Sequence, residues 1–219
     1  VHIFGHPCRI TDLKKICSKY KIPILEDAAE GLGSYYKKKH VGTFADIGVI
    51  SFNGNKIIST GSGGAILTNS KKIEKFSRNL ASVGKLDHEW EYKYNQVGFN
   101  YRMANINAAL GISQVDLLKQ RLKAKRKLYN FYKNILKDFS ELKLIKEPKD
   151  CKSNYWLQTI MLNSKFLKYK NKILRLFNQN NFQSRPIWQL LSDMEHFKKC
   201  PRMKITASKK MYDQIINLP

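Results

Sequence analysis

The chain has 219 residues, 42% apolar and 11% aromatic, enough for one large domain or a domain and a half and too apolar for wholesale disorder. No run approaches the roughly 20 apolar residues needed to cross a bilayer, and the opening residues carry no signal-peptide pattern. The formal charge is +23, but 32 of the 40 basic residues are lysines spread along the chain; this favours a solvated surface over a nucleic-acid site, which would gather arginine forks and aromatics.

In chain order, residues 1–4 read as a short apolar strand. The chain opens there without an initiator methionine and already reads as the inside of a domain, so an N-terminal truncation is expected. Ile10, Leu13, Ile16, Cys17 and Tyr20 fall on one helical face, with Thr11 or Asp12 placed to cap it. Residues 22–25 form the next strand, with Pro23 near its beginning, where proline is tolerated. Residues 47–52 and 65–68 are two more apolar strands, and 71–82 read as a helix. Residues 83–100 look like a charged, aromatic loop, and an amphipathic helical stretch runs from 104 to about 139. Pro148 marks a boundary; beyond it come a strand at 155–162, a helix at 166–178 and an extended segment at 184–188. Continuous apolar runs separated by a helix or loop predict an α/β sheet covered on both faces. Four cysteines without a CxxC pair and five histidines without metal-ligand spacing argue against a disulfide framework or a metal centre; free buried thiols in a reducing cytoplasm are expected.

Two residues stand where such a sheet binds ligands, beyond the carboxyl ends of its strands. Asp27 follows the strand at 22–25, and Lys56 follows the one at 47–52, just ahead of the glycine run 60–64. A carboxylate and an amine so delivered suit a pyridine cofactor, the carboxylate on the ring nitrogen and the lysine on the aldehyde. Asp27 equally fits a helix cap, and Lys56 an ordinary surface lysine. Ser51 is placed either to donate to a phosphate or to bond its own backbone. Gly61, Gly63 and Gly64 suit a close ligand approach or a simple hairpin; with the lysine ahead of the glycines, the run is not a P-loop. Asn100 and Arg102 open the long helix, as phosphate contacts or as a cap and a surface arginine. Arg185 and Trp188 pair a cation with an aromatic, for a sugar or nucleotide contact or for core packing.

The stretches VHIFG, ILEDAAEGLGS, VGTFADIGVISFNGNKIISTGSGGAI, VGFNYRMANINAALGISQ, SNYWLQTI and SRPIW occur in this order along almost the whole chain. Together they resemble the DegT-like sugar aminotransferases, which use pyridoxal 5'-phosphate on the aspartate aminotransferase fold (fold type I). The FNGNK form, RPIW and the closing INLP look most like members that aminate UDP-linked 4-keto-6-deoxy-N-acetylhexosamines in bacillosamine or legionaminic acid synthesis. The resemblance implies a partial large domain at 1–125, with a mostly parallel sheet and the cofactor site. It implies a small α+β domain at 126–219, joined through the long helix. Lys56 becomes the Schiff-base lysine and Asp27 the partner of the pyridine nitrogen, with Glu30 beside the ring and Ser51 on the phosphate. Asn100 reaches the neighbouring subunit's phosphate in a homodimer with shared active sites, and Arg185 lies near the substrate. The implied reaction moves an amino group from an amino acid, glutamate, to C4 of a nucleotide-linked keto sugar. It serves bacterial surface glycan and lipopolysaccharide synthesis in the cytoplasm, with no metal, nucleic acid or membrane involved.

Ser62 and Ala45 depart from residues common in relatives, glutamate and glycine respectively, without removing a catalytic group. Relatives also carry well over a hundred further residues upstream, including a phosphate-binding turn on a helix N-terminus. Two alternatives therefore stand beside the enzyme: an inactive fragment of it, and a basic nucleic-acid-binding module.

Overall fold

The computed structural model describes residues 1–219. The chain divides into two units, Val1–Ala124 with Glu147–Trp156, and Lys125–Lys146 with Leu157–Pro219. Glu147–Trp156 is a short return to the first unit after the chain has entered the second.

The first unit begins with α1 (Ile10–Lys19), β1 (Leu25–Asp27), β2 (Tyr35–Tyr36) and β3 (Lys39–His40). It continues with β4 (Ile47–Ser51), β5 (Gly64–Leu67), α2 (Lys71–Leu80), β6 (Lys85–Leu86) and β7 (Lys93–Tyr94). The long helix α3 (Asn105–Ile135) belongs to this unit up to Ala124. Its main sheet has the order β1-β4-β5 and is mixed: β1 and β4 are parallel, with Asp27 opposite Val49, and β4 and β5 are antiparallel, with Ser51 opposite Gly64. The antiparallel arm follows from the glycine run. Gly61 and Gly63 take φ of +80° and +108°, and a Cβ on Gly64 would lie 2.5 Å from the Ile50 carbonyl oxygen. The hairpin reading of the glycines is therefore the structural one, and Lys56 rides in its loop.

The sequence expectations differ in several places. Residues 1–4 are not a strand: Ile3–Gly5 is a 3₁₀ turn with Phe4 at φ +58°. The chain leaves the extended path because the Phe4 N–H is drawn to the Glu30 carboxylate, at 2.6 Å. Neither Thr11 nor Asp12 caps α1; Thr11 bonds the Tyr36 hydroxyl and Asp12 pairs with Arg9, which precedes the helix. β1 starts only at Leu25, because Pro23 has no N–H and that of Ile24 goes to the Asp46 side chain at 2.8 Å. Segment 83–100 contains the two-stranded β6/β7 ladder, and β2 pairs on one side with β3 and on the other with Cys151–Lys152. Cys8, Cys17 and Cys151 are half-buried rather than buried, Cys200 is exposed, and all four are free.

The second unit holds the rest of α3, β8 (Leu142–Leu144), β9 (Gln158–Leu162), α4 (Lys170–Gln179), β10 (Arg185–Pro186), α5 (Thr206–Gln214) and β11 (Ile215–Leu218). Its four strands run antiparallel in the order β10-β11-β9-β8. Ile160, Leu162, Ile216 and Leu218 form the buried core, covered by Tyr132 and Leu136 of α3 and by Leu174 and Phe177 of α4. Every residue of β11 is buried, so this last strand is central to the unit rather than a tail.

In the first unit His6 is 8% exposed, packs edge-on against Tyr155 and has no hydrogen-bond partner on either ring nitrogen. Burial lowers its pKa to about 4, against a weaker upward pull from Glu147. The unfolded chain, with an ordinary histidine near 6.5, then binds the extra proton first, so stability falls as pH drops from 6.5 towards 4, by about 2–3 kcal/mol. Urea unfolding at pH 7 and pH 4.5 should show this loss in the wild type and a smaller one in His6→Phe.

Candidate active site

Because β1 and β4 are parallel neighbours, their carboxyl ends open on the same edge. Asp27 is the last residue of β1, and Lys56 stands five residues beyond the end of β4. A cleft of about 760 Å³ lies at the opposite ends of these strands, lined by Pro23, Ile24 and Asp46.

Asp27 is half-buried. Its Oδ1 accepts the Ala29 N–H at 3.0 Å, its backbone carbonyl accepts the His2 N–H at 3.0 Å, and its second carboxylate oxygen has no hydrogen-bond partner in the protein. His2 is tied to the same strand a second time. Its Nδ1 accepts the Cys8 N–H at 3.1 Å, so the ring proton sits on Nε2 and is donated to the buried Glu26 carboxylate at 2.8 Å. The Ala28–Gly31 turn, closed by an N–H···O=C bond of 2.8 Å, carries Glu30 back over this end of the sheet, where the Phe4 N–H donates to its carboxylate.

The loop that holds Lys56 is pinned from several sides. Phe52 N–H donates to the Gly63 carbonyl and Thr60 N–H to the Phe52 carbonyl, both at 2.9 Å. From α3, the Asn107 amide donates to the Thr60 carbonyl at 2.5 Å and the Arg121 guanidinium to the Ile57 carbonyl at 3.1 Å. Ile57 and Ile58 are buried beneath it. The Lys56 ammonium lies 4.1 Å from the centroid of the Trp156 ring, and the indole N–H donates to the Asn55 carbonyl at 2.7 Å.

The structure thus brings Asp27, Glu30 and Lys56 together. Ser51 lies at the root of the same loop, its oxygen accepting the Asn53 N–H at 3.3 Å, with the hydroxyl proton left to donate elsewhere. Asn100 is exposed and bridges to Ser82. Arg185 belongs to the second unit, where its exposed guanidinium donates to the Asn178 side chain at 2.8 Å. Trp156 is the residue that sequence reasoning missed. It stands 100 positions from Lys56, and a tryptophan in the polar run Ser-Asn-Tyr-Trp was its one visible signal.

Taking the Lys56 amine partly out of water lowers its pKa, while Glu30 and then Asp27 pull it back up. Burial raises the pKa of Glu30, opposed by the Phe4 N–H and by Lys56. The Trp156 face adds an attraction for the ammonium of about 0.5–2 kcal/mol. An amine so placed is easier to deprotonate than a surface lysine, yet carries counter-charges that hold it. With lysine labelled at Cε, NMR titration should place the Lys56 midpoint below the ordinary lysine value. Glu30→Gln and Asp27→Asn should each move it further down; an upward shift would contradict this balance.

The model of the DegT/DnrJ/EryC1/StrS aminotransferase family matches residues 1–219. The chain is 37% identical over 161 residues to the GDP-perosamine synthase of Escherichia coli O157:H7, a span covering 74% of this chain and 43% of that protein. It is 34% identical over 173 residues to the UDP-4-amino-4,6-dideoxy-N-acetyl-beta-L-altrosamine transaminase of Campylobacter jejuni, covering 77% and 45%. Among solved structures, Helicobacter pylori PseC, an aminotransferase involved in the biosynthesis of pseudoaminic acid, superposes with a TM-score of 0.93 at 25% identity, over 100% of this chain and 59% of that one. The chain spans about half the length of the curated relatives it matches. A family match over every residue, on a fold that superposes throughout, shows that this chain belongs to the DegT/DnrJ/EryC1/StrS aminotransferase family.

Proposed function

We propose that the protein transfers an amino group from an amino acid, glutamate, to C4 of a nucleotide-linked 4-keto-6-deoxy sugar, with pyridoxal 5'-phosphate as cofactor. The observation that carries this reading is the half-desolvated Lys56 amine gathered with Asp27 and Glu30 at the carboxyl ends of two parallel strands. The donor set fits the cofactor. Asp27 has one carboxylate oxygen uncommitted to the protein, and Ser51 has a hydroxyl proton free for a phosphate oxygen. The names of the relatives, transaminases and synthases of amino sugars, support the substrate class.

When bound, the cofactor supplies an electron-withdrawing ring. The chain's own residues do the rest. Asp27, through its uncommitted carboxylate oxygen, would keep a proton on the ring nitrogen. Lys56 Nζ would hold the cofactor's aldehyde group, and its amine would move a proton at the reacting centre. Glu30, its carboxylate fixed by the Phe4 N–H, would flank the cofactor ring. Asn100 contributes to the phosphate site of a second copy in a homodimer, and Arg185 contacts the sugar nucleotide. The product feeds surface glycan and lipopolysaccharide synthesis in the cytoplasm.

The protein loaded with pyridoxal 5'-phosphate and given L-glutamate should form 2-oxoglutarate in proportion to the cofactor, the amino group passing to it, at a rate that Lys56→Ala lowers by about 10²–10⁴ or more. An undiminished rate of this half-reaction in Lys56→Ala would overturn the assignment.

A further inference from the structure

We propose that residues 153–156 act as a clip that sets the spacing between Glu30 and Lys56, with Asn154 and Trp156 as its two positioning residues. The proposal rests on the functional reading above for its consequence, but its geometry stands apart from it.

Each end of the clip grips one side of the site. The Asn154 amide donates to the backbone carbonyls of Glu30 at 2.7 Å and Leu32 at 2.9 Å, so it fixes the turn from which the Glu30 carboxylate projects. Its Oδ1 accepts the Trp156 N–H at 2.8 Å. Trp156 holds the other side twice over, through the indole N–H on the Asn55 carbonyl and the ring face beneath the Lys56 ammonium. One side chain thus binds both the backbone just ahead of Lys56 and the amine itself. The two grips lie two residues apart in sequence and belong to the segment that returns to the first unit.

The segment is built more firmly than a connecting loop requires. Tyr155, between the two grips, is 2% exposed and has φ +50°, a conformation a bulky residue adopts only when its surroundings impose it. Here they do. The Ser34 hydroxyl donates to the Gly5 carbonyl at 2.7 Å and accepts the Asn154 N–H at 2.9 Å. The Ser153 hydroxyl donates to the same carbonyl at 2.8 Å and accepts the Tyr155 N–H at 3.1 Å. Gly5 permits this approach: its φ is +85°, and a Cβ there would come within 1.7 Å of Asn154 Oδ1. The backbone strain at Tyr155 turns the chain so that Asn154 faces the Glu30 turn and Trp156 faces the Lys56 loop.

A structural role alone predicts that variants lose stability. A positioning role predicts that the amine is displaced. In protein labelled at lysine Cε, the Lys56 methylene signal, assigned by its disappearance in Lys56→Arg, should lie upfield of the other lysines because it sits over an indole face. Trp156→Leu should return it to the bulk position. Trp156→Phe, which keeps a packed ring and loses the N–H, should leave part of the displacement. Labelling of Lys56 by pyridoxal 5'-phosphate and borohydride, followed by peptide mass, should slow about tenfold or more in Trp156→Leu and in Asn154→Ala. A wild-type Lys56 signal lying among the other lysines, or unchanged labelling rates in both variants, would overturn the clip. A wild-type Lys56 that takes no label would overturn the cofactor reading alone; the displaced resonance and its loss in Trp156→Leu then still decide the clip.

Discussion

The site depends on holding one lysine amine partly out of water without leaving it unpaired. Desolvation alone would make the ammonium costly, and two carboxylates alone would keep it firmly protonated. In this chain the two effects oppose each other at Lys56, with an indole face as a third, softer partner. Each has a separate structural origin. Parallel pairing of β1 with β4 aligns the strand ends, the glycine hairpin folds the Lys56 loop back, and α3 pins that loop through Asn107 and Arg121.

The two units solve the folding problem differently. The second relies on an antiparallel sheet whose apolar faces meet helices close to it in sequence, with Ile160 and Ile216 in register at its centre. Around the site, the first unit relies on polar contacts between distant segments: Asn154 reaches Glu30 across 124 positions and Ser153 reaches Gly5 across 148. Such contacts form only once the chain between them is ordered, and in a buried setting each group left unpaired is expensive. They make the geometry of the site specific at the cost of depending on the whole unit.

That contrast explains how much was legible in the sequence. Asp27 and Lys56 stood out because each closes or follows an apolar strand, a local signal. The strand at Ile47–Ser51 could be read from its continuous apolar run and the helix at Ile10–Lys19 from its periodicity, for the same reason. Trp156 could not, because its role exists only through a contact 100 residues away. Nor could the turn at Ile3–Gly5, where an apolar run that resembles a strand is bent by a hydrogen bond to Glu30. Strand Ile215–Leu218 escaped because a short apolar run near a terminus carries no pairing information, although its pairing places it inside the sheet. The glycine run admitted two readings, and the positive φ at Gly61 and Gly63 selects the hairpin, with Lys56 in its loop.

The central claim is that one lysine among 32 is set apart by its surroundings. The most direct measurement exposes the protein to a limiting amount of pyridoxal 5'-phosphate, fixes the attachment with borohydride, and identifies every labelled lysine by peptide mass. The account predicts label concentrated on Lys56. Label spread over surface lysines in proportion to their exposure, with Lys56 no more reactive than its neighbours, would contradict it.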